Sequence, residues 1–207
     1  MPIIATQNGT PRELTPAGNY IARCYQMIHI GTIEDTFKGE KKIFNKVRIG
    51  WELPTETKLF NADKGEEPFV ISKEFTLSMN EKANLRKMLE SWRGKGFTED
   101  EAKSFDITKL IGATCMINII HSPKKTDPST IYAEIATVSP MPKGIQCPPQ
   151  INDTIVWEYD NPNMAVYEKL PDFLKDKIKQ SSEWKKLNMK DQQPEPIVTE
   201  TVDDLPF

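Results

Sequence analysis

The chain has 207 residues, 38% of them apolar, and its 27 basic and 30 acidic side chains leave a net charge of −3. That is enough for one domain of ordinary size with appendages, and no apolar run approaches the roughly 20 residues that span a bilayer, so a membrane-spanning helix is excluded. The opening Met1-Pro2-Ile3-Ile4-Ala5-Thr6 lacks the basic segment and apolar stretch of a secretory signal, so a cytoplasmic protein is expected.

Residues 1–17 carry Gly9, Pro11 and Pro16 without periodicity and read as an arm. Asn19 to Ile30 is rich in β-formers, and Gly31 with the polar Thr32–Lys42 segment should break it. Ile43 to Leu53 alternates cleanly: Val47, Ile49, Trp51 and Leu53 share one face, while Phe44, Lys46, Arg48 and Glu52 share the other. Pro54 should end that strand, with a loop to Glu67 and a third strand from Phe69 to Met79.

Leu85, Met88, Leu89 and Trp92 then recur at i, i+3, i+4 and i+7, the stripe of a core-facing helix, with Ser78 or Asn80 as its cap and Gly94 as its stop. Thr98 before Glu99-Asp100-Glu101 starts a second short helix, and Asp106 caps a further turn. Ala113–Ile120 is an apolar strand suited to a barrel interior. A polar loop from His121 to Thr130 leads to the last strand, Ile131–Val138. Pro140, Pro142, Pro148 and Pro149 mark a connector. Beyond it Trp157, Tyr159 and Tyr167 precede a helix started by Pro171 and a turn at Ser182-Glu183-Trp184. This extension packs on the barrel or on a neighbouring subunit, so a homo-oligomer stays open. Residues 189–207 are an acidic tail with too little apolar content for a core.

Three strands, a helix and two strands match the five-stranded Greek-key barrel of the oligonucleotide/oligosaccharide-binding (OB) fold, whose helix lies between strands three and four. The expectation is a mainly β protein organised as an arm (1–17), an OB-fold domain (18–140), a partly helical extension (141–188) and a disordered acidic tail (189–207).

Chemistry of other kinds finds little support. Cys24, Cys115 and Cys147 are odd in number and far apart, and with only His29 and His121 they form no zinc-like spacing, so free thiols are expected. Gly94-Lys95-Gly96 lacks the spacing of a phosphate-binding loop and follows a helix instead of opening one. Glu99, Asp100, Glu101 and Asp106 are explained as caps. No nucleophile-and-base arrangement stands out, so neither an enzyme nor a cofactor or metal is expected.

The charge is unevenly placed. The tail from Met189 holds one base against five acids, which leaves the remainder at +1, so any nucleic-acid site must be a local patch. From Phe37 to Arg48 the chain carries Lys38, Lys41, Lys42, Lys46 and Arg48 against Glu40 alone, a local +4, with Phe37 and Phe44 among them. Lys73 on strand three and Lys124, Lys125 and His121 in the 4–5 loop add to it, where an OB barrel places its binding surface. Cations follow a phosphate backbone, and aromatic faces stack on unpaired bases for roughly 1–3 kcal/mol each, a combination suited to single strands. Arg23 and Tyr25 are weaker candidates on the outward face of strand one. Trp51 and Trp92 read as structural.

The final Asp203-Asp204-Leu205-Pro206-Phe207 pairs a terminal aromatic ring and carboxylate with two acids, a form suited to capture by a pocket with a basic rim. It resembles the acidic, Pro-Phe-terminated tail of bacterial single-stranded-DNA-binding proteins. The barrel order over roughly residues 18–140, the patch and the tip together resemble a bacteriophage-type member of that group, while the 140–189 extension matches nothing in the bacterial proteins. The resemblance implies non-catalytic, sequence-nonspecific coating of single-stranded DNA in replication or recombination, in a bacterial host's cytoplasm, with the tip recruiting polymerase, primase or helicase. The rivals are an RNA- or protein-binding OB module and a virion structural or assembly protein with a C-terminal docking peptide.

Overall fold

Gly18–Phe37 forms one long strand (β1) and Glu40–Asn61 a longer one (β2), followed by Gly65–Thr76 (β3). After two short helices and a 3-10 turn come Thr114–Lys124 (β4) and Asp127–Ser139 (β5), and then a three-residue strand, Ile155–Trp157 (β6). These elements belong to a computed structural model that describes residues 14–37, 39–61, 63, 65–124 and 127–190; the side chains of Phe37, Asn61 and Lys190 are outside that description.

The strands form one sheet in the order β3-β2-β1-β4-β5, with β6 added alongside β1. β1 meets β4 antiparallel from Gly18↔Ile119 to Arg23↔Thr114, and β4 meets β5 antiparallel with a register shift at Asn118/Ile119. The two ends of the path approach each other, and the Lys73 ammonium on β3 donates to the Ile135 carbonyl on β5 at 2.8 Å. The result is a mainly β protein with a nearly closed, barrel-like antiparallel sheet, consistent with an OB-type barrel.

Chain contacts divide the molecule into two compact units: residues up to Ile28 with Val47–Val156, and His29–Lys46 with the chain from Trp157 onward. The first unit holds the barrel core. Val47, Ile49, Trp51 and Leu53 of β2 pack with Cys115, Ile117 and Ile119 of β4, all essentially buried, as period-2 alternation requires. Helix α1 (Asn84–Arg93) adds Leu85, Leu89 and Trp92 to this core. The Trp92 indole stands 5.8 Å from Trp51 and donates to the Thr114 carbonyl at 3.0 Å, while the Ser91 hydroxyl donates to Val138. Gly94 ends the helix in the left-handed region at φ 69°. Helix α2 (Glu99–Lys103) starts with a complete capping box between Thr98 and Glu101, and Asp106 caps the 3-10 turn Ile107–Leu110.

The second unit is built on aromatics. Trp157 lies within 5.2 Å of Tyr167 and 6.2 Å of Trp184, and the Tyr167 and Trp184 rings stack at 4.5 Å. Helix α3 (Met164–Lys169) carries the buried Tyr167, α4 (Asp172–Gln180) the buried Leu174 and Ile178, and α5 (Ser182–Lys190) Trp184; Ile30 and Ile33 of β1, in the same unit, are buried too. The extension therefore has a partner within its own chain, the far part of the β1–β2 hairpin. Tyr159 donates to the Ile30 carbonyl at 2.8 Å. The Glu183 carboxylate accepts from the Thr32 amide at 2.7 Å and its hydroxyl at 2.6 Å. Burial alone would raise the Glu183 pKa, yet these Thr32 bonds hold it below the ordinary value.

Several expectations are corrected. Thr32–Phe37 belongs to β1 and Glu40–Lys42 to β2, so the chain stays in strand through most of this polar segment, with Ile33 buried and Glu34 and Thr36 exposed. β2 runs on through a buried Pro54, whose fixed φ suits an extended chain although it lacks a donor. Most of the expected 54–67 and 121–130 loops is strand for the same reason: hairpin arms outrun the barrel core. Helix α1 begins after Ala83 with no side-chain cap, so neither Ser78 nor Asn80 serves there.

Candidate nucleic-acid interface

In the second unit, β2 presents Lys41, Lys42 and Ile43 to solvent and leaves Phe44 half-buried. Among the described residues of this hairpin, Lys41, Lys42 and Lys46 each meet a carboxylate. Lys41 lies 2.8 Å from Glu34, which raises its pKa; Lys42 lies 2.9 Å from Glu40; and the Lys46 ammonium donates to Asp35. The Lys46 bond holds the Asp35 carboxyl below its ordinary range, and Lys177 of α4 adds to the effect. Counting Glu34 and Asp35 brings the local +4 of residues 37–48 down to +2.

The barrel unit, taken by itself, holds another group of charged side chains. Arg48 stands 3.4 Å from Glu74, and Lys73 stands 3.6 Å from Glu134 as well as donating to Ile135. Lys124 is exposed at the end of β4, in register with Asp127, a carboxyl held low by hydrogen bonds from Ser129 and Thr130. His121 bonds the Thr15 carbonyl at 2.9 Å. The exposed pairs among these, Lys41–Glu34 and Lys42–Glu40, contribute about 0–1 kcal/mol each, so a phosphate oxygen can compete for those two cations.

The Phe37 side chain, Lys38, Lys125 and the tip Asp203–Phe207 lie outside the described residues.

Two weaker candidates and one outward assignment are corrected. Tyr25 is buried, and Arg23 spends its guanidinium on the Gly112 and Pro148 carbonyls at 2.9 and 2.8 Å. Glu52 is fully buried: its carboxylate accepts from the Ile151 amide at 2.9 Å and from both the amide and the side chain of Asn152 at 2.8 Å. Arg23 and Glu52 thus hold the proline-marked connector and do not face a ligand. Conversely, Phe60 near the end of β2 is 48% exposed and meets Phe69 edge-on at 5.0 Å. It shares a strand face with Lys58, the base-beside-aromatic pattern that reading 54–67 as loop concealed.

Cys24, Cys115 and Cys147 are free; burial pushes the Cys24 thiol up to about 12 and raises that of Cys115. No group of three or more His, Cys, Asp or Glu among the described residues could hold a metal ion, and no described helix is long and apolar enough to cross a membrane. The chain matches no protein-family model, no curated protein and no solved structure.

Proposed function

We propose that this chain binds single-stranded DNA without sequence preference, as a bacteriophage-type coating protein in replication or recombination, working in the host cytoplasm without catalysis. The observation that carries the reading is the sheet order β3-β2-β1-β4-β5 with α1 inserted after β3 and packed between β3 and β5, the arrangement of an OB-type barrel. The exposed Lys41 and Lys42 on one hairpin, and Lys124 and Phe60 in the barrel unit, supply the cations and the stacking surface that single strands use. Asp203–Phe207 recruits polymerase, primase or helicase, pairing its acids with a basic rim. Nothing in this reading requires a cofactor.

The test is a fluorescence titration with oligo-dT, duplex DNA and RNA of equal length at two salt concentrations. Salt-sensitive binding that favours oligo-dT over duplex is expected. Preference for RNA would move the assignment to the RNA-binding rival, and no binding at low salt would leave the assembly-protein reading.

A further inference from the structure

The distal β1–β2 hairpin is more balanced in charge than a DNA-binding element needs to be. Glu34 and Asp35 both stand on β1, and the lysines they meet both stand on β2. These partners are seven and eleven residues apart in sequence, so the pairing arises from the hairpin and not from chain adjacency. The Glu34–Lys41 pair lies in solvent, with the two side chains 59% and 76% exposed. Lys46 is largely buried, and its ammonium is turned toward Asp35, which also accepts from the Thr36 amide at 2.8 Å. Holding Lys46 in this way does more than a solvated pair would, because a buried ammonium without its partner carries a desolvation penalty.

A carboxylate oxygen bonded to an ammonium occupies the place that a phosphate oxygen would take, with the same charge and similar hydrogen-bond geometry. We infer that Glu34 and Asp35 act as built-in phosphate surrogates, competing with the DNA backbone for Lys41 and Lys46 and so lowering the hairpin's affinity for single strands. The inference rests on the proposed function. It adds a device for release: a coat laid on a replication intermediate has to come off again, and a carboxylate that returns to its lysine as the phosphate leaves lowers the barrier to removal.

The experiment compares four full-length proteins in oligo-dT titrations at about 50 and about 200 mM salt. They are the wild type, Glu34→Gln/Asp35→Asn, Glu34→Gln alone, and Asp100→Asn. Asp100 pairs with Lys103 at 3.1 Å on α2, outside the hairpin, so its loss removes one carboxylate and one lysine's partner while leaving the hairpin's own pairs intact. In the double variant, affinity at the lower salt should rise roughly three- to tenfold, and the salt slope should steepen by about 0.7 for each lysine freed. Glu34→Gln should move the same way by less, and Asp100→Asn should match the wild type. If Asp35→Asn impairs folding, seen as a diminished circular dichroism signal, the direction of Glu34→Gln decides. A double variant within about twofold of wild type would overturn the inference, as would an equal gain in Asp100→Asn. A wild type that binds no oligo-dT defeats the proposed function itself, an outcome distinct from both.

Discussion

At Gly31 the backbone takes φ 93°, and a Cβ there would lie 2.8 Å from a Glu183 carboxylate oxygen and from Ser181 Cβ, and 2.9 Å from the Tyr159 hydroxyl. Both the conformation and the space call for glycine. The close approach has a purpose: it lets Glu183 reach the amide and hydroxyl of Thr32 and lets Tyr159 reach Ile30. Gly31→Ala should therefore cost about 2–5 kcal/mol, the sum of left-handed strain and overpacking. Urea unfolding checks it, followed by tryptophan fluorescence, to which Trp157 and Trp184 of this unit contribute alongside Trp51 and Trp92 of the barrel core. A loss under about 0.5 kcal/mol would mean that the packing against α5 is loose.

The elements best read from sequence are those in which one physical rule acts alone. The Leu85/Leu89/Trp92 stripe, the Gly94 stop and the Thr98 cap are all present in the structure, the cap as part of a reciprocal box with Glu101, because each depends on residues within one or two helical turns. Strand lengths were not legible. Polar composition at 32–42 and 54–67, with a proline at 54, suggested loops. The chain is nevertheless strand to Phe37, from Glu40 to Asn61 and again from Gly65, since hairpin arms beyond a core keep their hydrogen bonds and need only one covered face. Glu52 fits a strand's polar alternation, yet the connector that buries it begins some ninety residues later, at a distance no local pattern reports. The candidate site was half legible: its cations were found, but Glu34 and Asp35 come opposite them only through the hairpin. One prediction belongs at this scale. Glu52→Ala strips three part-buried hydrogen bonds from the connector and leaves the Ile151 and Asn152 amides without this acceptor, so stability should fall by about 2–4 kcal/mol. Hydrogen exchange should show the Ile151 and Asn152 amides losing protection; unchanged protection would place the connector's anchor elsewhere, Arg23 on Pro148 being the other tie.

Over the whole molecule, a net charge of −3 conceals an acidic C-terminal stretch and, among the described residues, candidate cations such as Lys41, Lys42 and Arg48 that each face a carboxylate. Such a protein can hold a polyanion only where local cations exchange carboxylates for phosphates, so its binding should depend on salt through a small number of lysines and arginines. The salt slope is therefore the quantity that separates DNA binding through these side chains from binding elsewhere or none. The most direct measurement is the slope of log K against log salt for oligo-dT, in the wild type and in a variant with Lys41, Lys42, Lys46 and Arg48 changed to Ala. The account predicts tight, salt-sensitive binding by the wild type. The variant should bind more weakly, with a slope shallower by about 0.7 for each phosphate it no longer neutralises. An unchanged slope, or no binding by the wild type at low salt, would contradict it.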